Sequence, residues 1–184
     1  AQNLVLKTAT TFESGSSYEA AELTIKGDFT TDRIVMEDNT QLTIDSGAKT
    51  TFDFSNKTLT GNVRTIRGDI TVKGTLDIKT KGGGHATESV SYRNILVDGG
   101  NLINTTTLNS TYSFNIYEGK TITLKNGGTI NTSTNSFIGL TGGKLIVDAT
   151  SKILANQIMF AQSRGTLELS HASNLASNTH ICVK

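Results

Sequence analysis

Two consecutive stretches constrain this chain more than anything else in it. Residues 120–142 read KTITLKNGGTINTSTNSFIGLTG and residues 143–163 read GKLIVDATSKILANQIMFAQS, two copies of one pattern. Each opens on an apolar-x-apolar pair, Ile122/Leu124 and Leu145/Val147. Six residues later comes a single apolar residue, Ile130 or Ile153, and after five to eight more a second pair, Ile138/Leu140 or Ile158/Phe160. Alternation at period two is the mark of a strand that buries every other side chain. A unit of three such short strands cannot bury its own apolar face and must stack on a copy of itself. The expected fold is therefore all-β, a β-solenoid.

The same pattern extends to both sides. Openings at Leu4, Leu23 and Leu42 lie nineteen residues apart, and further ones fall at Ile70, Leu102, Ile122, Leu145 and Leu167. This predicts about eight coils in a single domain spanning residues 1–184, a rod on the order of 35–40 Å long at one strand spacing per coil. Two stretches leave the pattern. Residues 57–67 read as an excursion or an extra half-turn, and Asn94–Val97 as the strand that closes the interrupted coil. Residues 79–93 (KTKGGGHATESVSYR) carry three consecutive glycines among charged and hydroxyl residues and read as the longest surface loop. Only 35% of residues are apolar, which suits a thin core. Proline is absent, so every backbone N–H remains available to a ladder. Helical spacing is not sustained over any long segment. A β-sandwich shares the short strands, but it should show more two-residue hairpin joints than the one clear Asn126-Gly127.

Several function classes are disfavoured by composition. Net charge is +1 with the cations scattered, so no basic stripe points to nucleic acid. No apolar run approaches the length that spans a bilayer. The single cysteine, Cys182, excludes an internal disulfide framework or a multi-cysteine metal site, and reads as a small apolar side chain on the last strand. His85, His171 and His180 are too dispersed for a local metal motif, and only the last two could meet, across the last coil. No phosphate loop is present, and no cofactor is expected. Thr-x-Thr recurs, but not at one constant place in the repeat, which speaks against an ordered ice-binding face.

Catalysis on acidic polysaccharides needs convergent carboxylates. No Asp-Asp pair occurs, and the nearest approach to a Gly-His-Gly is Gly84-His85-Ala86. The alternative function is a carbohydrate-active β-helix enzyme, a polysaccharide lyase or hydrolase, and Asp28, Asp32 and Asp38 with Arg33 form the cluster that could serve a calcium-dependent lyase. In solenoids the coils are fixed by stacking and function tends to sit on excursions. The candidate binding residues are accordingly His85, Glu88, Tyr92 and Arg93 in the long loop.

The coils GKLIVDATSKILA, KTITLKNGGTINTS and GDITVKGTLDIKT resemble the passenger domains of bacterial autotransporters and related type V secreted proteins, most of all those of the vacuolating-cytotoxin kind. The resemblance covers nearly the whole chain and lies in repeat length, strand pattern and composition. It implies a right-handed parallel β-helix, secretion or display on the bacterial surface, and non-catalytic adhesion or toxin-like contact with a host-cell glycan or protein. It also suggests a fragment of a longer passenger, able to self-associate through the ends or sides of the solenoid.

Overall fold

The computed structural model describes residues 3–6, 18–20, 22–55, 64–80, 93–106, 111–132 and 135–183. Strands β1 (Asn3–Leu6) and β2 (Tyr18–Ala20) come first. A coil of β3 (Glu22–Ile25), β4 (Phe29–Thr31) and β5 (Arg33–Met36) follows, then one of β6 (Gln41–Ile44), β7 (Lys49–Phe54) and β8 (Arg64–Ile66). The next contains β9 (Asp69–Val72) and β10 (Thr75–Thr80). Three full coils come after it: β11 (Asn94–Asp98), β12 (Asn101–Ile103), β13 (Thr111–Tyr117); β14 (Thr121–Lys125), β15 (Thr129–Asn131), β16 (Ser136–Thr141); and β17 (Lys144–Val147), β18 (Lys152–Leu154), β19 (Gln157–Phe160). The last coil has β20 (Thr166–Leu169) and β21 (His180–Val183).

All strand pairs are parallel, and they build the faces of a β-solenoid. The first face is a seven-stranded sheet, β3-β6-β9-β11-β14-β17-β20, in strict chain order. The second runs β4-β7-β10-β12-β15-β18, and the third is split into β2-β1-β5-β8 and β13-β16-β19-β21. Five coils have all three strands among the described residues, fewer than the eight that sequence spacing predicts. There is no α-helix among them, and no helix is long and apolar enough to cross a membrane.

Two openings were misplaced, one of which removes a coil and leaves seven first-face strands, and the coils opened by β9 and β20 each have two strands among the described residues. Leu4 does not stack over Leu23; its strand lies in the third face, in register with Ile34 and Tyr18. Leu102 opens nothing, because the first-face strand of its coil is β11, paired with β9 and β14. Asn94–Asp98 therefore begins a coil where the sequence suggested a closing strand. Within residues 57–67, the segment Arg64–Ile66 is a third-face strand over β5, and Ile66 is fully buried.

The core consists of columns. Leu42, Ile70, Ile95, Ile122 and Leu145 stand in register along the first face, all buried, with Ile44, Val72, Val97, Leu124 and Val147 beside them. Each such side chain loses its water on both sides to a like neighbour, a gain of about 1.5–3 kcal/mol apiece. Phe52 and Phe54 thicken the core at the second coil, their ring centroids 5.9 Å apart. In the last coil the alternation persists but the burial does not, and Leu169, Ile181 and Val183 are exposed. That coil is tied down by a buried amide. Asn174 donates to the carbonyls of Asp148 and Ser151 at 2.7 and 2.8 Å, and its Oδ1 accepts from the N–H groups of Ser170 and His171.

Stacking leads to an expectation that contrasts the two sides of one strand. Leu124→Ala should cost about 2–5 kcal/mol, whereas Thr123→Ala on the outward side should stay within about 0.5 kcal/mol. Urea midpoints of the two variants would measure this, and equal losses would contradict the columnar core.

Candidate functional site

Where the chain turns from the third face to the first, successive coils place Asp38, Arg67, Arg93 and the turn Glu118-Gly119-Lys120 along one edge. These residues, with Ile66 as an apolar floor, line a hollow of about 280 Å³. Register sets their order. Asn94 pairs with Asp69 and Thr121, so Arg93 lies directly beside Lys120, and Arg67 precedes Gly68 on the rung before. The backbone fixes these rungs: Arg67 N–H donates to the Met36 carbonyl at 2.8 Å, and Thr121 N–H to the Arg93 carbonyl at 2.9 Å. Gly68 permits the close approach, because a Cβ there would fall 2.3 Å from Thr40 Oγ1 and 2.5 Å from its carbonyl oxygen.

Charge at this edge is unevenly answered. Three cations share the hollow with two carboxylates, and Arg164 already holds one of those, Glu118. The nearby Asp69 accepts a hydrogen bond from Asn94 Nδ2 at 2.9 Å. Among the described residues neither the Arg67 nor the Arg93 guanidinium has an ion-pair partner, and both are exposed. Lys120 is half-buried, and burial pushes its amine below the usual lysine range.

The opposite arrangement holds where the first face turns into the second. Asp45, Lys73, Asp98, Lys125 and Asp148 follow one another rung by rung, alternating in sign. Asn126 fastens that edge, donating from its backbone to Asp148 Oδ2 at 2.8 Å and from its amide to Asp98 Oδ1 at 2.7 Å. Hydrogen bonds from the Ser151 hydroxyl, the Asn126 N–H and Thr150 hold the Asp148 carboxyl at about 2. That edge alternates in charge from rung to rung and is fastened by hydrogen bonds.

Of the predicted loop residues, His85, Glu88 and Tyr92 lie outside the described residues, and Arg93 stands at the rim of the hollow. Sequence reasoning missed Arg67 and Lys120. A signal for them existed: aligned on their opening strands, RGDITV, RNILV and KTITL each carry a cation at or just before the turn. The lyase cluster does not assemble. Asp28 lies between β3 and β4 and accepts from Lys49 N–H, Asp32 lies between β4 and β5 beside Arg33, and Asp38 follows β5. These are three different corners of one coil, so the carboxylates diverge.

The remaining polar candidates are also separated. His171 caps a short 3-10 turn through its Nδ1, while His180 begins β21 on another face, and both are exposed. Cys182 is a free, half-buried thiol on the outward side of β21, in register with Met159. No group of three His, Cys, Asp or Glu side chains suited to a metal ion occurs among the described residues. A partial threonine ladder does exist on the first face, Thr24-Thr43-Thr71, which the sequence spacing hid; Leu96 interrupts it before Thr123.

No family model, curated protein or solved structure matches this chain.

The depressed Asp148 carboxyl has a signed consequence. Its stabilising contribution is fully present above the unfolded value near 3.9 and is lost as pH falls toward about 2. Between those limits the wild type should lose stability more steeply than Asp148→Asn, as measured by urea midpoints at each pH. Parallel slopes would mean that the edge hydrogen bonds do not favour the ionised form.

Proposed function

We propose that this β-solenoid is a secreted or surface-displayed passenger of the autotransporter kind, which acts by binding a host-cell glycan or protein and not by catalysis. The observation that carries the reading is the contrast between the two charged edges. One alternates in sign from rung to rung, while the other places Arg67, Arg93 and Lys120 around a hollow. Stacking requires no such gathering, since like charges on adjacent rungs repel by about 1 kcal/mol even in water. Local choices that work against the fold concentrate at functional sites. Arg93 directly follows the stretch whose sequence departs from the repeat, and such departures are where solenoids tend to carry recognition. The divergence of Asp28, Asp32 and Asp38 takes support from the polysaccharide-lyase alternative.

The test is direct. The purified, fluorescently labelled chain should bind cultured animal cells saturably, and binding should survive Asp28→Asn and Asp32→Asn. Absence of saturable binding would overturn the proposal. So would depolymerisation of pectin-like or alginate-like polymers that those same changes abolish.

A further inference from the structure

Resting on the binding role just proposed, we infer that the hollow at the third-to-first edge is a site for an anionic saccharide, whose carboxylate or sulfate is gripped by Arg67, Arg93 and Lys120. The argument begins with geometry. Three cations on consecutive rungs about 4.8 Å apart converge on one concavity with an apolar floor at Ile66. Guanidinium groups offer planar forks that match carboxylate and sulfate oxygens, and such charge-assisted hydrogen bonds are roughly twice as strong as neutral ones. An anion in the hollow would also offset an existing cost, the desolvation of the Lys120 amine.

The surroundings select the rest of the ligand. The first outward residue of each neighbouring rung is Gln41, Asp69, Asn94 or Thr121, a row of amides, a hydroxyl and one carboxylate that begins at the rim of the hollow. Such a row donates to and accepts from hydroxyl groups. A ligand carrying both hydroxyls and acidic groups therefore fits better than a bare anion or an apolar chain. A nucleic acid is a poorer match, because among the described residues no aromatic ring on which a base could stack lines the hollow.

Calorimetric titration with defined probes tests this: a heparin oligosaccharide for sulfate, an oligogalacturonate for carboxylate, its fully methyl-esterified form as an uncharged control, and inorganic sulfate. At least one anionic oligosaccharide should bind at low salt and weaken as salt rises, and the ester should bind at least about tenfold less tightly. Which of the two binds identifies the acidic group. Arg67→Gln and Arg93→Gln should each weaken binding by about tenfold or more, and the charge-reversed Arg67→Glu/Arg93→Glu chain should abolish it. Lys26→Glu and Lys152→Glu, at other places on the rod, should change nothing. Both arginines are exposed, so thermal melts of the variants should match the wild type. Inorganic sulfate binding as tightly as the oligosaccharides would overturn the saccharide assignment. Equal loss with the Lys26 and Lys152 variants would reduce it to nonspecific charge. Undiminished cell binding by the charge-reversed chain, with no oligosaccharide response in the wild type, would refute the site while leaving the binding role intact; a wild type that binds no cells would refute the role itself.

Discussion

Everything in this structure depends on parallel strands stacking in register, so that each inward aliphatic side chain rests on another. A single coil cannot exclude water from Ile122 or Leu124; both are fully buried because Ile95 and Val97 lie beneath them and Leu145 and Val147 above. Backbone hydrogen bonds and hydrophobic burial thus run along the same axis, and slipping one strand by a residue would turn its apolar set outward. Stability is accordingly shared among neighbouring coils and not held in one central cluster.

Because the inward positions are committed to stacking, chemical variety is pushed to the outward rows and the edges. The two charged edges show what that freedom permits. At the first-to-second edge, Asp45, Lys73, Asp98, Lys125 and Asp148 alternate, and Asn126 bridges two of the carboxylates. At the third-to-first edge, Arg67, Arg93 and Lys120 share one hollow with Asp38 and Glu118, and Glu118 is bound by Arg164. The same rung geometry carries alternating signs on one side and brings three cations together on the other.

The inward alternation was legible in the sequence, since it is a local signal repeated many times. Pairs such as Ile122/Leu124, Leu145/Val147 and Ile138/Leu140 are buried as their spacing requires. What was not legible is which face a given apolar residue belongs to. Leu102 lies on the second face, and spacing gives it an opening place only if Asn94–Val97 is taken as a closing strand; the true opening pair is Ile95/Val97. Leu4 keeps the nineteen-residue spacing to Leu23, yet its strand is inserted between β2 and β5. Spacing along the chain cannot distinguish these cases, since face assignment is a long-range pairing.

The candidate site was half legible for the same reason. Arg93 could be named from the loop that contains it, but Arg67 and Lys120 are twenty-six and twenty-seven residues away and become its neighbours only through the stack. The converse error concerned Asp28, Asp32 and Asp38, close in sequence and drawn apart because each falls at a different corner of one coil. In a solenoid, proximity along the chain measures distance around the rod, and proximity along the rod is measured in whole coils. A cluster that matters must therefore be sought by aligning coils and reading down a column. Read that way, Arg67, Arg93 and Lys120 come together on three successive rungs around one hollow.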